Sequence, residues 1–316
     1  MGCALLLVCA GARAQEELRA DAWWTGPMLA ANGASLPQGH ALVEPYLFDV
    51  VSNASLDNNG NRHSTPTSQT IGSLSYILYG LTDSIGVGLL PHFAYNLPAQ
   101  GASSSGVMFG DLTLQASYGL LHFRDGGLTP DVSVVVQESL PTGRYDHLTR
   151  VSDGVGAGAY ATSLAVYSQD YFWMPNGRIL RARLDLTYTF SSSAGVQGLS
   201  VYGTGVGFSG RAYPGASLSA DAAAEYSLTR NWVLALDVIW QHSDNTRVSG
   251  TVPDGDAGVP SPVSVNSGSG YSLGFAPAIE YNFSSAIGVL LGVRIIEIGR
   301  NTSATITPAL ALNMVF

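Results

Sequence analysis

The sequence predicts an all-β fold: a transmembrane antiparallel up-and-down β-barrel of about 12 strands, with both termini at the short-turn end, which is the periplasm in bacterial barrels. Three observations lead there. Segments of about 9–11 residues alternate large apolar with small or polar residues, the length a tilted strand needs to cross hydrocarbon. The intervals between them alternate short and long, as in outer-membrane barrels. Charged residues make up 12% of the 316-residue chain, and all 14 basic residues are arginine. A typical soluble protein carries about 25% charged residues, and a surface bathed in water needs them.

The start reads MGCALLLVCAGARA. An apolar run from Ala4 to Ala10 followed by Ala12-Arg13-Ala14 is expected to be a signal peptide over 1–14. The two cysteines, Cys3 and Cys9, both lie in it, so no disulfide is expected in the remainder. Residues 15–40 form a periplasmic N-terminal segment. Its Trp23-Trp24 pair and Pro27 suggest a plug in the barrel mouth; a lead-in without fixed structure is the alternative. The barrel occupies 41–316.

Strands are expected at 41–50, 70–80, 85–95, 109–119, 129–138, 157–170 and 216–227, besides five clearer ones. In 180–190, Leu180, Leu184, Leu186, Tyr188 and Phe190 share one face, and Arg181, Arg183, Asp185, Thr187 and Thr189 the other. In 232–242, Trp232, Leu234, Leu236, Val238 and Trp240 oppose Ala235, Asp237 and Gln241. In 271–281, Tyr271, Leu273, Phe275, Pro277, Ile279 and Tyr281 oppose Ser272, Gly274, Ala276, Ala278 and Glu280. In 287–295, Ile287, Val289, Leu291, Val293 and Ile295 oppose Gly288, Gly292 and Arg294. The last strand, TITPALALNMVF, places Ile306, Pro308, Leu310, Leu312, Met314 and Phe316 on one face. The period of two marks half-buried strands. Short turns fall at 81–84, 123–129, 174–177, 227–231 and 282–286. Longer loops are expected at 51–69, 96–108, 139–156, 191–215 and 243–270, with 298–303 a short exception.

The second face of these strands is mostly Gly, Ala, Ser and Thr. A soluble sandwich would bury the bulky face and expose a charged one. Bulky outside and small inside fits a sheet closed on itself in lipid, where no backbone group is left unpaired. Tyr46, Tyr76, Tyr79, Tyr95, Tyr118, Tyr167, Tyr188, Tyr226, Trp232, Trp240, Tyr271 and Tyr281 are expected near the headgroup layers, which suit rings with one polar edge. No run of apolar residues is long enough for a spanning helix.

The inward set is Glu44, Asp111, Gln115, Gln137, Arg181, Arg183, Asp185, Asp221, Glu225, Asp237, Gln241, Glu280 and Arg294. Consecutive strands are expected to be neighbours. Arginines of one strand then face carboxylates of the next two. The candidates for a lumen constriction are Arg181, Arg183, Asp185, Asp221, Glu225, Asp237, Glu280 and Arg294. These charges either brace the barrel or select solutes by sign; both roles stand open. Twelve strands imply a narrow lumen, between the filled eight-stranded and the open sixteen-stranded regimes.

No covalent chemistry is expected. One class of twelve-stranded outer-membrane barrel is a phospholipase with a lipid-facing serine–histidine pair. Here Ser243 adjoins His242 but points to the opposite face, Ser168 has no link to it, and no GxSxG occurs. HExxH and P-loop patterns are absent, and no cofactor or metal is expected. Asp244, Asp254 and Asp256 in the 243–270 loop do not match an EF-hand and suit a solvated loop. The net charge of −9 without a basic run speaks against nucleic acid.

The stretches SLPQGHALVEPY and AEYSLTRNWVLALD, within 23–49 and 202–245, resemble the phenol meta-pathway degradation or transporter-like family of bacterial outer-membrane β-barrels. The resemblance runs from about Trp23 to Phe316. It implies a channel or transporter for small, hydrophobic or aromatic solutes, in the outer membrane and reached through the periplasm. It supplies no catalytic residues. A terminal aromatic such as Phe316 resembles the signal read by the barrel-assembly machinery, and lipid and lipopolysaccharide are the expected surroundings. A non-conducting structural or ligand-binding barrel is the alternative, and a lipase-type enzyme a more distant one.

Overall fold

The computed structural model describes residues 22–124, 129–253 and 260–316. The expected signal peptide lies outside them. The strands are β1 (Ala41–Leu56), β2 (Arg62–Gly80), β3 (Ile85–Leu90), β4 (His92–Leu97), β5 (Met108–Phe109), β6 (Leu112–Leu121), β7 (Asp131–Leu140), β8 (Ala161–Trp173), β9 (Ile179–Ser191), β10 (Ala194–Gln197), β11 (Ser209–Tyr213), β12 (Ser217–Ser227), β13 (Trp232–Ser243), β14 (Arg247–Pro253), β15 (Pro260–Asn266), β16 (Gly270–Asn282), β17 (Ile287–Arg300) and β18 (Thr302–Val315).

Twelve staves close into an antiparallel barrel, β1 pairing with both β2 and β18. Each expected strand coincides with one stave, and chain neighbours are sheet neighbours. The third stave is split at Pro91, which has no N–H to donate to the ladder; the Pro91 carbonyl still accepts from the Ser75 amide at 3.1 Å. The fourth is split between β5 and β6 at Gly110-Asp111.

Leu184, Leu186, Tyr188 and Phe190 on β9, Leu234 and Leu236 on β13, and Ile306 and Leu310 on β18 are all exposed on the outer wall. Closing a sheet abolishes its edges, so a bare apolar exterior is stable only against hydrocarbon. Rings gather at both rims. At the short-turn end Tyr281 meets Trp232 at a tilt and Phe283 edge-on, with centroids 4.7 and 5.0 Å apart. Phe93 meets Phe109 at 5.2 Å, and Trp240 stacks on His242 at 6.2 Å, toward the long-loop end.

Three expectations about the loops fail. Segment 51–69 is not a loop: β1 runs to Leu56 and β2 starts at Arg62, leaving a tight turn. Above the membrane a strand keeps its ladder but no longer needs an apolar face, so its period-two signature fades. The same holds for 191–215 and 243–270. There β10, β11, β14 and β15 form a separate four-stranded sheet over a small core of Val196, Phe208, Ala212 and Val248. The 243–270 loop is therefore a hairpin over much of its length; Asp254 and Asp256 lie outside the described residues.

Candidate functional site

Three adjacent staves, β9, β12 and β13, supply most of the inward charge. The register sets Arg181 opposite Glu225, Asp185 opposite Asp221, and Arg183 opposite Ala223, which in turn faces Asp237. Glu225 is fully buried and receives both arginines. Arg181 clasps it with two N–H groups, and Arg183 Nε lies 3.1 Å from Oε2. Such a fork-to-carboxylate clasp fixes geometry as well as charge. The expected meeting of arginine and acid is therefore real. It balances two arginines against one glutamate, however, and among the described residues Asp185, Asp221, Asp237 and Glu280 make no salt bridge. Arg294 lies on β17 opposite Thr307 and forms no salt bridge among the described residues.

The N-terminal segment meets those carboxylates instead. Residues 22–40 form an arch through the bore. The Trp23 amide bonds to the Arg230 carbonyl at the short-turn rim. Thr25 and Gly26 amides donate to Glu280 Oε2 at 2.7 and 3.2 Å. Met28, Leu29 and Ala30 amides donate to Asp237 at 3.0, 3.2 and 2.9 Å. The Ala31 amide donates to Asp185 at 2.6 Å, while Arg183 donates to the Ala30 carbonyl at 2.8 Å. The chain then descends: Ser133 donates to the Gly33 carbonyl, and the Gln38 amide donates to Asp83 beside a short turn. Backbone amides buried in a barrel need acceptors, and wall carboxylates need donors. Each solves the other's problem.

Packing seats the arch as well. Arg181 lies over the Trp24 ring, 4.6 Å from its centroid, and Trp24 meets Tyr171 edge-on. Thr25 bonds to Asn282, and Met28 enters an apolar cluster with Ala276, Ala278 and Leu290. Gly288 must be glycine here, because a Cβ would collide with the Thr25 hydroxyl and the Asn282 amide oxygen.

Between the arch and the opposite wall lies a cavity of about 690 Å³. Its wall includes Glu44, Tyr46, Phe48, Tyr76, Gln115, Gln137, Tyr167, Asp185 and Asp221. Tyr46, Tyr76 and Tyr167 were expected in the headgroup belts; they face the lumen. Their parity along the strand was the available signal: Tyr46 shares a face with Glu44, and Tyr167 faces Asp185 in register. Pairing Gln115 with Gln137 at 2.8 Å completes the polar side.

At the long-loop end the connections are tied together. Ser105 and Ser104 bond to Asp153 and to the Ser152 carbonyl, and Asp111 accepts the Gly143 and Ala157 amides. Tyr202 donates to the Ala157 carbonyl, and burial pushes its phenol up to about 12. In the β1–β2 turn, Asp57 is held below the ordinary carboxylate range by His63, which bonds to it at 2.9 Å, and by Asn61.

Sequence reasoning placed all eight constriction candidates on the inner face. It did not assign the arch residues Thr25–Ala31 to them, because a backbone amide leaves no mark in residue identity. Among solved structures, the chain is similar to the COG4313 outer membrane channel from Pseudomonas putida F1, at 15% identity over 92% of this chain and 100% of that one, with a TM-score of 0.67. It is more distantly similar to the β domain of the Bordetella autotransporter BrkA (9% identity, 88% and 100% covered, TM-score 0.42) and to a deletion mutant of the TodX monoaromatic hydrocarbon channel (13%, 88% and 91%, 0.38). The first likeness bears on the barrel fold; the other two are too loose to argue from. No curated protein matches the chain. A family model described as "Putative MetA-pathway of phenol degradation" matches residues 33–306, and the chain belongs to that family.

Proposed function

We propose that the protein is an outer-membrane channel for small solutes, oriented with its short turns and both termini in the periplasm. The 22–40 arch is a plug within it, and the inward charges set which solutes pass. The observation that carries this is how the arch is held. Its backbone amides rest on carboxylates of β9, β13 and β16, and Met28 is the arch residue set in an apolar cluster. Beside it a solute-sized cavity persists. A segment seated by hydrogen bonds to a polar wall can exchange them for water, which a packed apolar core cannot.

Family membership supports small hydrophobic or aromatic solutes as the cargo. The Phe316 terminus suits the barrel-assembly machinery, and the bare apolar belt suits lipid and lipopolysaccharide. The test is conductance of the full mature chain and of a variant lacking 22–36 in planar bilayers, with liposome uptake alongside. Larger conductance in the deletion variant is the expected result. Silence from both, with no uptake, refutes the channel and favours a closed structural barrel.

A further inference from the structure

The wall of the cavity contains an arrangement that the arch does not explain. Asp185 on β9 and Asp221 on β12 are directly opposed in register, both on the inner face. Directly opposed residues of neighbouring strands have Cβ atoms about 4.5–5.5 Å apart, and like charges there are destabilising. Each is only 6% exposed. Asp185 Oδ2 accepts the Ala31 amide, but its Oδ1 has no partner; Asp221 makes no hydrogen bond or ion pair, and its Oδ1 is buried and unmatched.

None of the charged groups around the pair closes on it in a salt bridge among the described residues. Arg181 and Arg183 are held by Glu225, and Arg183 also by the Ala30 carbonyl. Arg294, three staves from β12 along the sheet, acts on Asp221 electrostatically across the bore but makes no salt bridge with it. Asp237 on the adjacent stave β13 adds negative charge. The chain has no lysine, so no lysine ammonium can come to the pair.

Aromatic surface completes the site. Tyr167 is the in-register neighbour of Asp185 on β8, and Tyr46, Phe48 and Tyr76 line the same cavity. Tyr46 and Tyr76 meet edge to face at 6.1 Å. Ring faces attract cations, more strongly where water is scarce. Among the described residues no group of three metal-ligating side chains occurs. Two carboxylates beside tyrosines suit an ammonium head with an apolar body better than a divalent ion, which wants more oxygen ligands.

We propose that the cavity is a binding site for small organic ammonium solutes, the ammonium resting between Asp185 and Asp221 and the body lying against Tyr46, Phe48, Tyr76 and Tyr167. This rests on the channel reading, in that the cavity must be reachable by solute.

The test is calorimetric titration of the detergent-solubilised mature chain with three probes of one shape: benzylamine, benzyl alcohol and benzoate. Benzylamine is expected to bind at least tenfold more tightly than either. Asp221→Asn is expected to abolish that preference without unseating the arch, whose amides bond to Glu280, Asp237 and Asp185. Equal binding of the three probes, preference for benzoate, displacement of benzylamine by equimolar calcium, or an Asp221→Asn variant that keeps the preference would each overturn the proposal. If that variant does not fold, shown by loss of the heat-modifiable gel shift, the ranking by the unsubstituted protein decides alone. Conductance without amine reports on the channel separately. A conducting barrel indifferent to benzylamine refutes only the ammonium site; a silent barrel that prefers benzylamine refutes only the channel.

Discussion

Asp237 is the strongest single hold on the arch, and replacing it with alanine should open the lumen. Six amides of the arch rest on wall carboxylates, and Asp237 takes three of them, at 3.0, 3.2 and 2.9 Å. A hydrogen bond to a charged group contributes about 1.5–3 kcal/mol. At the lower bound, Asp237→Ala removes roughly 4.5 kcal/mol of seating. Lumen water will rehydrate part of the freed backbone, leaving about 2–3 kcal/mol. At 1.4 kcal/mol per tenfold, the unseated population rises by about 30- to 150-fold. The assay is single-channel recording, read as the fraction of time in the larger-conductance state. A charge change in the lumen alters conductance by itself, so Asp237→Ala is also made in the variant lacking 22–36. With no arch to release, its effect on open fraction should vanish there. An open fraction unchanged in the full chain, or an equal change in both backgrounds, refutes the arch as plug.

Five further outcomes follow from the same geometry. Gly288→Val forces a side chain into the position of the Thr25 hydroxyl; the gel shift of the folded barrel should persist while channel opening increases. Arg181→Ala leaves the buried Glu225 with Arg183 alone and should destabilise the barrel by about 3–5 kcal/mol, read as a lowered urea midpoint; Arg183→Ala should move the reversal potential toward cation preference. Leu236→Arg on the outer wall should cost about 2–4 kcal/mol if that face meets hydrocarbon, measured by folding into lipid vesicles, and near zero if it meets water. In the β1–β2 turn the folded Asp57 binds protons less readily than the unfolded chain, so its contribution is present above about pH 4 and lost as the pH falls below it. Hydrogen-exchange protection of the Asn59 and Asn61 amides, corrected for the intrinsic rate at each pH, should therefore fall on acidification in the natural protein but not in Asp57→Asn.

The legibility of this chain followed the solvent. Where a stave crosses hydrocarbon, one face must be bulky and apolar, so 180–190 and 232–242 wrote their positions plainly into the sequence. Where the same staves rise into water the demand ends: β1 beyond Val50 and β2 before Thr70 kept their ladders but lost their pattern and were read as loop. The lumen was half legible. Parity assigned Glu225 and Asp237 to the inside, but their partners differ in kind. Arg181 and Arg183 are side chains and could be matched to Glu225 by strand adjacency. The partners of Asp237 are amides of Met28, Leu29 and Ala30, residues whose side chains say nothing about hydrogen bonding. Tyr46, Tyr76 and Tyr167 were misplaced because composition was allowed to outrank parity.

That difference in partners divides the charged belt by role. Glu225 faces two guanidinium groups that belong to the barrel itself, so its contacts stay whether or not the arch is seated; it braces. Asp237 and Glu280 face donors on a segment joined to the barrel only through β1, so their contacts can be lost without opening the sheet; they hold something removable. Asp221, which makes no hydrogen bond or salt bridge among the described residues, serves neither purpose. Bracing and solute selection, alternatives when the belt was read as one list of charges, thus fall to different residues within it, and Asp221→Asn beside Arg181→Ala separates them: the first should leave stability intact and change what binds, the second the reverse.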